Sequence, residues 1–133
     1  MSLFHAKDFE EMQFSTECIL RDLCYAEKTE IFSDGLYIWT RRRSPCLCQI
    51  TYALHQSMGT GVLTKDSQPL TGGVSYGDVH ILRFSCQKVG ENVLLFELEG
   101  ENEKTGRRMM IKSGAFLKNS VLLAKGRMAG EFP

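Results

Sequence analysis

The chain has 133 residues, 43% of them hydrophobic, with 16 basic and 16 acidic side chains. That is the size of one globular domain, residues 1–133, able to bury about two-thirds of its unfolded surface in a single core. Zero formal charge argues against a general nucleic-acid binder, and no apolar run approaches the ~18 residues that a membrane-spanning helix needs.

Five cysteines, Cys18, Cys24, Cys46, Cys48 and Cys86, form an odd set without the paired spacing of a zinc site or a secreted disulfide framework. Reduced thiols, no metal and no cofactor are expected. The opening MSLFHAKDFEE turns acidic where a secretory signal would place its apolar stretch, so the expected location is cytoplasmic. Charge is unevenly spread: residues 1–34 carry eight acids against three bases, and residues 35–90 six bases against two acids. This asymmetry fits internal complementarity, or a basic patch facing an anion.

In chain order, Phe9, Met12, Thr16, Ile19, Leu23 and Ala26 recur at three and four, which predicts an amphipathic helix over about 6–28, with a break near Ser15. TEIF and LYIWTRR then flank Ser33-Asp34-Gly35, a strong hairpin signal. The stretch 45–58 reads two ways. In twos, Cys46, Cys48, Ile50, Tyr52 and Leu54 form one face of a strand. In threes and fours, Leu47, Ile50, Ala53, Leu54 and Met58 form a helical stripe, with Ser44 as N-cap, Pro45 opening it and Gly59 past its end. The capping residues favour the helix. From Thr60 onward, TGVLTKDSQ, DVHILRFSCQK, NVLLFELEGE and RRMMIKSGAFL read as antiparallel strands, the last three joined by tight turns at 89–92 and 102–106. The tail after Leu117 reads equally as strand or short helix.

The glycines do not make a phosphate loop: Gly59-Thr60-Gly61 with Lys65 lacks the second half of that motif, and Gly72-Gly73 precedes a strand. Tyr37, Trp39, Arg41 and Arg43 alternate along one strand face, an arrangement that can stack single-stranded nucleic acid. With no recognisable RNA-binding motif beside it, nucleic acid is not the expected partner. His80 and Cys86 lie six positions apart on one strand, about 20 Å at ~3.3 Å per residue, too far for a nucleophile and its base.

Three features of the C-terminal meander, GDVHILRF, KVGEN and ENEKTGRRMMI, resemble the hotdog-fold acyl-CoA thioesterases, whose last strands share a Gly-Asp start, a Gly turn and an Asn-x-x-Thr-Gly turn. The resemblance implies an α+β fold in which an N-terminal helix and a central helix, here 45–58, pack on a curved antiparallel sheet. It also implies a homo-oligomer that binds acyl-CoA or an acyl-carrier protein, with thioester hydrolysis as the family's activity. The family's acidic residue on the central helix is missing, since no acid lies between Arg43 and Lys65. What the resemblance leaves is carbonyl polarisation by helix-start amides near Leu47 and Cys48. Gln49 would orient a water, His55 accept a proton and Asp66 supply the base. Arg41, Arg42 and Arg43, or Arg107 and Arg108, would meet the phosphates of coenzyme A.

If 45–58 is a strand, the expectation becomes a single helix on an antiparallel sheet or barrel. Its arginine-rich entry then resembles the PilZ-type cyclic-dinucleotide-binding barrels, although Asp66, Ser67 and Gly72 are wrongly spaced for that loop. The function becomes a non-enzymatic β-rich binding or adaptor module for a cyclic dinucleotide, RNA or a protein partner.

Overall fold

A computed structural model describes residues 3–42, 44–57, 60–71 and 79–117. Helix α1 spans Leu3–Cys24 and is continuous through Ser15. The expected break is absent because both mid-helix hydroxyls turn back on the helix: Ser15 Oγ donates to the Glu11 carbonyl at 3.3 Å and Thr16 Oγ1 to Met12 at 3.0 Å. The helix ends earlier than the periodicity suggests, because Ala26 already belongs to a strand. Its buried stripe runs Met12, Ser15, Thr16, Ile19, Asp22 and Leu23. Phe9 lies outside that stripe, 48% exposed.

Strands β1 (Ala26–Phe32), β2 (Gly35–Thr40), β3 (Cys48–Ser57), β4 (Thr60–Lys65) and β5 (Gln68–Pro69) form one antiparallel sheet in sequence order. Asp34 sits in the two-residue turn between β1 and β2, as the Asp-Gly signal predicts. The central helix is overturned: Thr40 pairs with Cys48, Ile38 with Ile50 and Leu36 with Tyr52, so this segment is β3. The helix-start signal is spent on a turn. Ser44 Oγ accepts the Cys46 N–H at 3.1 Å, and Ser44 N–H reaches back to Arg41 O at 3.4 Å. Beyond that turn, alternation and the unpaired edge of β2 decide the outcome.

Strands β6 (Val79–Val89), β7 (Val93–Asn102) and β8 (Arg108–Phe116) form a second, three-stranded meander. Both expected turns are present. Asn102 shapes the second one, its Oδ1 accepting the N–H groups of Lys104 and Thr105 at 2.8 and 2.9 Å. The Gly77-Asp78 pair, Arg43, Gly59, Gly72-Gly73 and the tail after Leu117 lie outside the described residues.

The core lies between the two sheets and α1. Ile19, Leu23, Leu36, Ile38, Tyr52 and Leu63 meet Ile81, Phe84, Phe96 and Leu98 there, with the Phe84 and Phe96 rings edge to face at 6.4 Å. The fold is therefore α+β, mostly antiparallel sheet with one helix, and among the described residues the sheets do not close into a barrel. Strand β6 is laid across the first sheet, and Gly61 permits that approach: a Cβ there would sit on the Ile81 carbonyl oxygen. Gly61→Ala is expected to cost about 3 kcal/mol, since backbone rather than a flexible side chain must move. Urea unfolding checks this, and a loss under ~0.5 kcal/mol would show that the two sheets have room to part.

Candidate functional site

Among the described residues the most deeply buried ion-paired carboxylate is Asp22, a residue that the apolar pattern of the sequence does not single out. Asp22, on the last turn of α1, has a side chain only 2% exposed. Isolated, such a carboxylate would be expelled or protonated. Here the Tyr52 hydroxyl donates to Oδ2 at 2.6 Å, Lys65 Nζ lies 3.0 Å from Oδ2 and Arg42 Nη1 lies 3.4 Å from Oδ1. Burial first, and the bond to the Asp22 carboxylate second, push the Tyr52 phenol far above its ordinary pKa. Arg42 also lies 5.0 Å from the Tyr25 ring centroid.

This cluster forms one wall of a pocket of about 170 Å³, lined by Asp22, Thr40, Arg42, Cys48, Gln49, Ile50, Lys65 and Asp66. Asp66 sits in the two-residue β4–β5 turn at φ +50°, with Ser67 at +72°. Its Oδ1 accepts the Thr51 N–H at 2.9 Å, and its own N–H donates to Thr51 O at 2.8 Å. Four sequence-predicted residues, Arg42, Cys48, Gln49 and Asp66, thus converge, although on strand edges and turns instead of around a helix end.

The other predicted residues are placed elsewhere. His55 is exposed and pairs with Val62 in the ladder, six positions beyond Gln49, or about 20 Å along β3. Gln49, His55 and Asp66 therefore form no single constellation. Leu47, 43% exposed, and Cys48 have no helix amides beside them, because no helix starts there. Arg41 pairs with Glu27. Arg107 and Arg108 belong to the far end of the second sheet, where Arg108 Nε meets Glu101 at 3.3 Å. His80 Nε2 shares that carboxylate at 3.0 Å, and the two contacts, His80 first, hold the Glu101 carboxyl below its usual value. Tyr37 and Trp39 do share a face with Phe32, with ring centroids 4.5 and 5.8 Å apart along the row, and Lys28 lies 4.8 Å from the Trp39 ring. The Trp39 end of that row is thus occupied by a cation of its own chain.

Both carboxylates lining this pocket are engaged. Asp22 is answered by two cations and a phenol, and Asp66 by a backbone amide, which suits holding three elements together better than moving protons. The volume falls below the ~300 Å³ at which pockets for drug-sized ligands begin. Burial raises the Cys86 thiol to about 12 and the Cys18 thiol above its ordinary value, so neither supplies a thiolate near neutrality. Among the described residues no group of His, Cys, Asp or Glu is arranged to hold a metal ion. No protein-family model, curated protein or solved structure matches this chain.

Asp22, Tyr52 and Lys65 had one readable signal. Asp22 falls three residues after Ile19 and beside Leu23, inside the apolar stripe, and an acid at such a position calls for buried partners.

Asp22→Ala is expected to destabilise the chain by about 4 kcal/mol, since it strands two cations and a buried phenol, and Tyr52→Phe by about 2 kcal/mol. Chemical denaturation checks both, and equal small losses would mean that the cluster is open to water. The unfolded Tyr52 gives up its proton above about pH 10 while the folded one retains it, so stability falls as pH rises from there. In an alkaline titration followed by phenolate absorbance, Tyr52 should remain silent until the chain unfolds. In native thiol titration at pH 8, the exposed Cys24, Cys46 and Cys48 should react fast, the half-buried Cys86 more slowly and the buried Cys18 only on unfolding; fast labelling of Cys18 would contradict its burial.

Proposed function

We propose that this chain is a non-enzymatic β-rich binding module whose partner is another protein. The observation that carries this reading is the outward face of β6–β8. Val89 (47% exposed), Leu95 (42%), Met110 (44%) and Phe116 (50%) stand there in water. Val89 pairs with Val93 and Val93 with Phe116, and Leu95 stands in the next row of that face, so Val89, Leu95 and Phe116 form its apolar end, while Met110 lies beyond Lys112 in the row of Glu99 and Arg83. The other end carries compensated charge: Arg83 lies 3.0 Å from Glu97, and Lys112 lies 3.8 Å from the same carboxylate. An apolar patch with a paired polar border is how a protein contact surface is built.

A second reading keeps an acyl-thioester-binding domain, a thioesterase where it turns its ligand over, and with it a hotdog-like relationship, a homo-oligomer and a cytoplasmic location. It is favoured by the convergence of Arg42, Cys48, Gln49 and Asp66 on one pocket. At about 170 Å³ that pocket accommodates a headgroup contact and no acyl chain. In this reading Arg42 would meet a phosphate of coenzyme A.

A thermal-shift series with coenzyme A, an acyl-coenzyme A, cyclic di-GMP and short single-stranded RNA separates the two. A ligand at a hundredfold excess over its dissociation constant adds about 2.7 kcal/mol. No shift with any of the four, and no thioester hydrolysis, are the expected results. A coenzyme A shift that disappears in Arg42→Ala would transfer the function to the second reading.

A further inference from the structure

Every sheet has edges, and unpaired edges invite other strands. Among the described residues the two sheets present four edges, and the chain itself touches or blunts three of them. At β1, Lys88 Nζ reaches the Thr29 carbonyl at 3.3 Å. At β6, Gln56 Nε2 reaches the Leu82 carbonyl at 3.5 Å and Gly61 packs on the Ile81 carbonyl. The edge strand β5 is two residues long and one of them is Pro69, which has no N–H to offer. The fourth edge, β8, pairs only with β7 among the described residues.

The ladder fixes which groups β8 turns outward. Leu117 N–H donates to Asn92 O at 2.6 Å and Asn102 N–H to Arg107 O at 2.8 Å, and the register between them is unbroken. Odd-numbered residues of β8 therefore bond to β7. The N–H and C=O groups of Arg108, Met110, Lys112, Gly114 and Phe116 point to the free edge, over about 27 Å of strand at ~3.4 Å per residue. The side chains of these same residues are the exposed ones. Gly114 matters here because a Cβ would lie 2.6 Å from Leu95 Cδ2: the missing side chain lets Leu95 lie over β8 and extend the apolar patch toward the edge.

We propose, building on the protein-binding reading, that β8 receives an extended acidic segment of a partner protein as a ninth, antiparallel strand. Charge selects the occupant. On β8 the outward charges are Arg108 and Lys112, both cations, and the carboxylates that answer them, Glu101 and Glu97, lie one strand inward on β7, so a second copy pairing through β8 would bring cations to the rim on both sides. The residues after Leu117, 118–133, carry three bases (Lys118, Lys125, Arg127) against one acid (Glu131), the same sign again. The matching segment has acids opposite Lys112 and Arg108, four positions apart. Apolar side chains stand opposite Phe116, Gly114 and Met110, so that main-chain bonds supply affinity and alternate side chains supply choice.

The probe is a blocked nine-residue peptide with valine at positions one, three and seven, glutamate at five and nine, and threonine between; its control has lysine at five and nine. With the full chain, the glutamate peptide is expected to bind at least tenfold tighter than the lysine peptide, the difference shrinking with salt. Hydrogen exchange should show the even-numbered amides from Met110 to Phe116 fast in the free protein and protected by the glutamate peptide, with the odd-numbered ones slow throughout. Met110→Pro removes one outward N–H and no bond to β7, and should weaken the peptide at least tenfold while the odd-numbered amides stay slow. Equal binding of the two peptides, no binding of either, or even-numbered amides already protected in the free protein would overturn the proposal. Small-ligand binding or thioester hydrolysis would remove the parent reading while leaving the exchange result to stand by itself.

Discussion

A carboxylate withdrawn almost wholly from water must be answered by donors brought from elsewhere in the chain, and Asp22 takes them from three places. Tyr52 comes from the middle of β3, Lys65 from the end of β4 and Arg42 from the loop beyond β2. Each donor fixes an angle that apolar contact alone leaves soft: the last turn of α1 is pinned to the first sheet, while its earlier turns lie against β7 and β8. Replacing the whole cluster by apolar groups of equal volume would cost little, whereas removing one member leaves the others stranded. The cluster therefore selects one docking of the helix more than it adds net stability.

That constraint explains why the charge asymmetry of the sequence is internal. The acidic first third folds back on the basic body at specific points, Asp22 with Arg42 and Lys65, and Glu27 with Arg41. Two of the three consecutive arginines, which as a sequence resemble a phosphate-binding entry, are thereby occupied by their own chain. The convergence of Arg42, Gln49 and Asp66 on one pocket has the same origin. These residues lie where three strand ends meet the helix end, and a junction of that kind leaves a small polar space as a by-product of packing.

What could be read from the sequence was local, and what could not was tertiary. The Asp34-Gly35 hairpin and the turn anchored by Asn102 are specified by residues within five positions of one another, and both form as expected. The stretch 45–58 is different. Ser44 does perform its capping chemistry, accepting the amide two residues on, but a hydroxyl that accepts that amide closes a turn as well as it opens a helix. The outcome was set by β2, whose hairpin with β1 leaves one edge seeking a partner, and by an inward face that needed Tyr52 under Asp22. Neither demand is visible within a fourteen-residue window. The same limit hid the site: Asp22 enters the sequence only as one of the eight acids of residues 1–34, although its spacing from Ile19 puts it on the inner face of the helix.

The position of α1 also accounts for the edge that remains. A single helix can cover one face of one meander, and it is placed on the inner face of β7 and β8, where Met12 lies close enough that a Cβ on Gly100 would stand 2.8 Å from its sulfur. Held there by Asp22 at one end and by Gly100 toward the other, it cannot also swing outward to shield the rim of β8. The remaining rims are each closed by a device costing one or two residues: a lysine, a glutamine, a proline. On β8 the devices that would discourage pairing, Arg108 and Lys112, are tied back to Glu101 and Glu97 of β7. Lying nearer the rim than the carboxylates that answer them, they would repel a strand of like charge more than an opposite one, so among the described residues the geometry that fixes the helix also fixes which rim is left to the proposed partner.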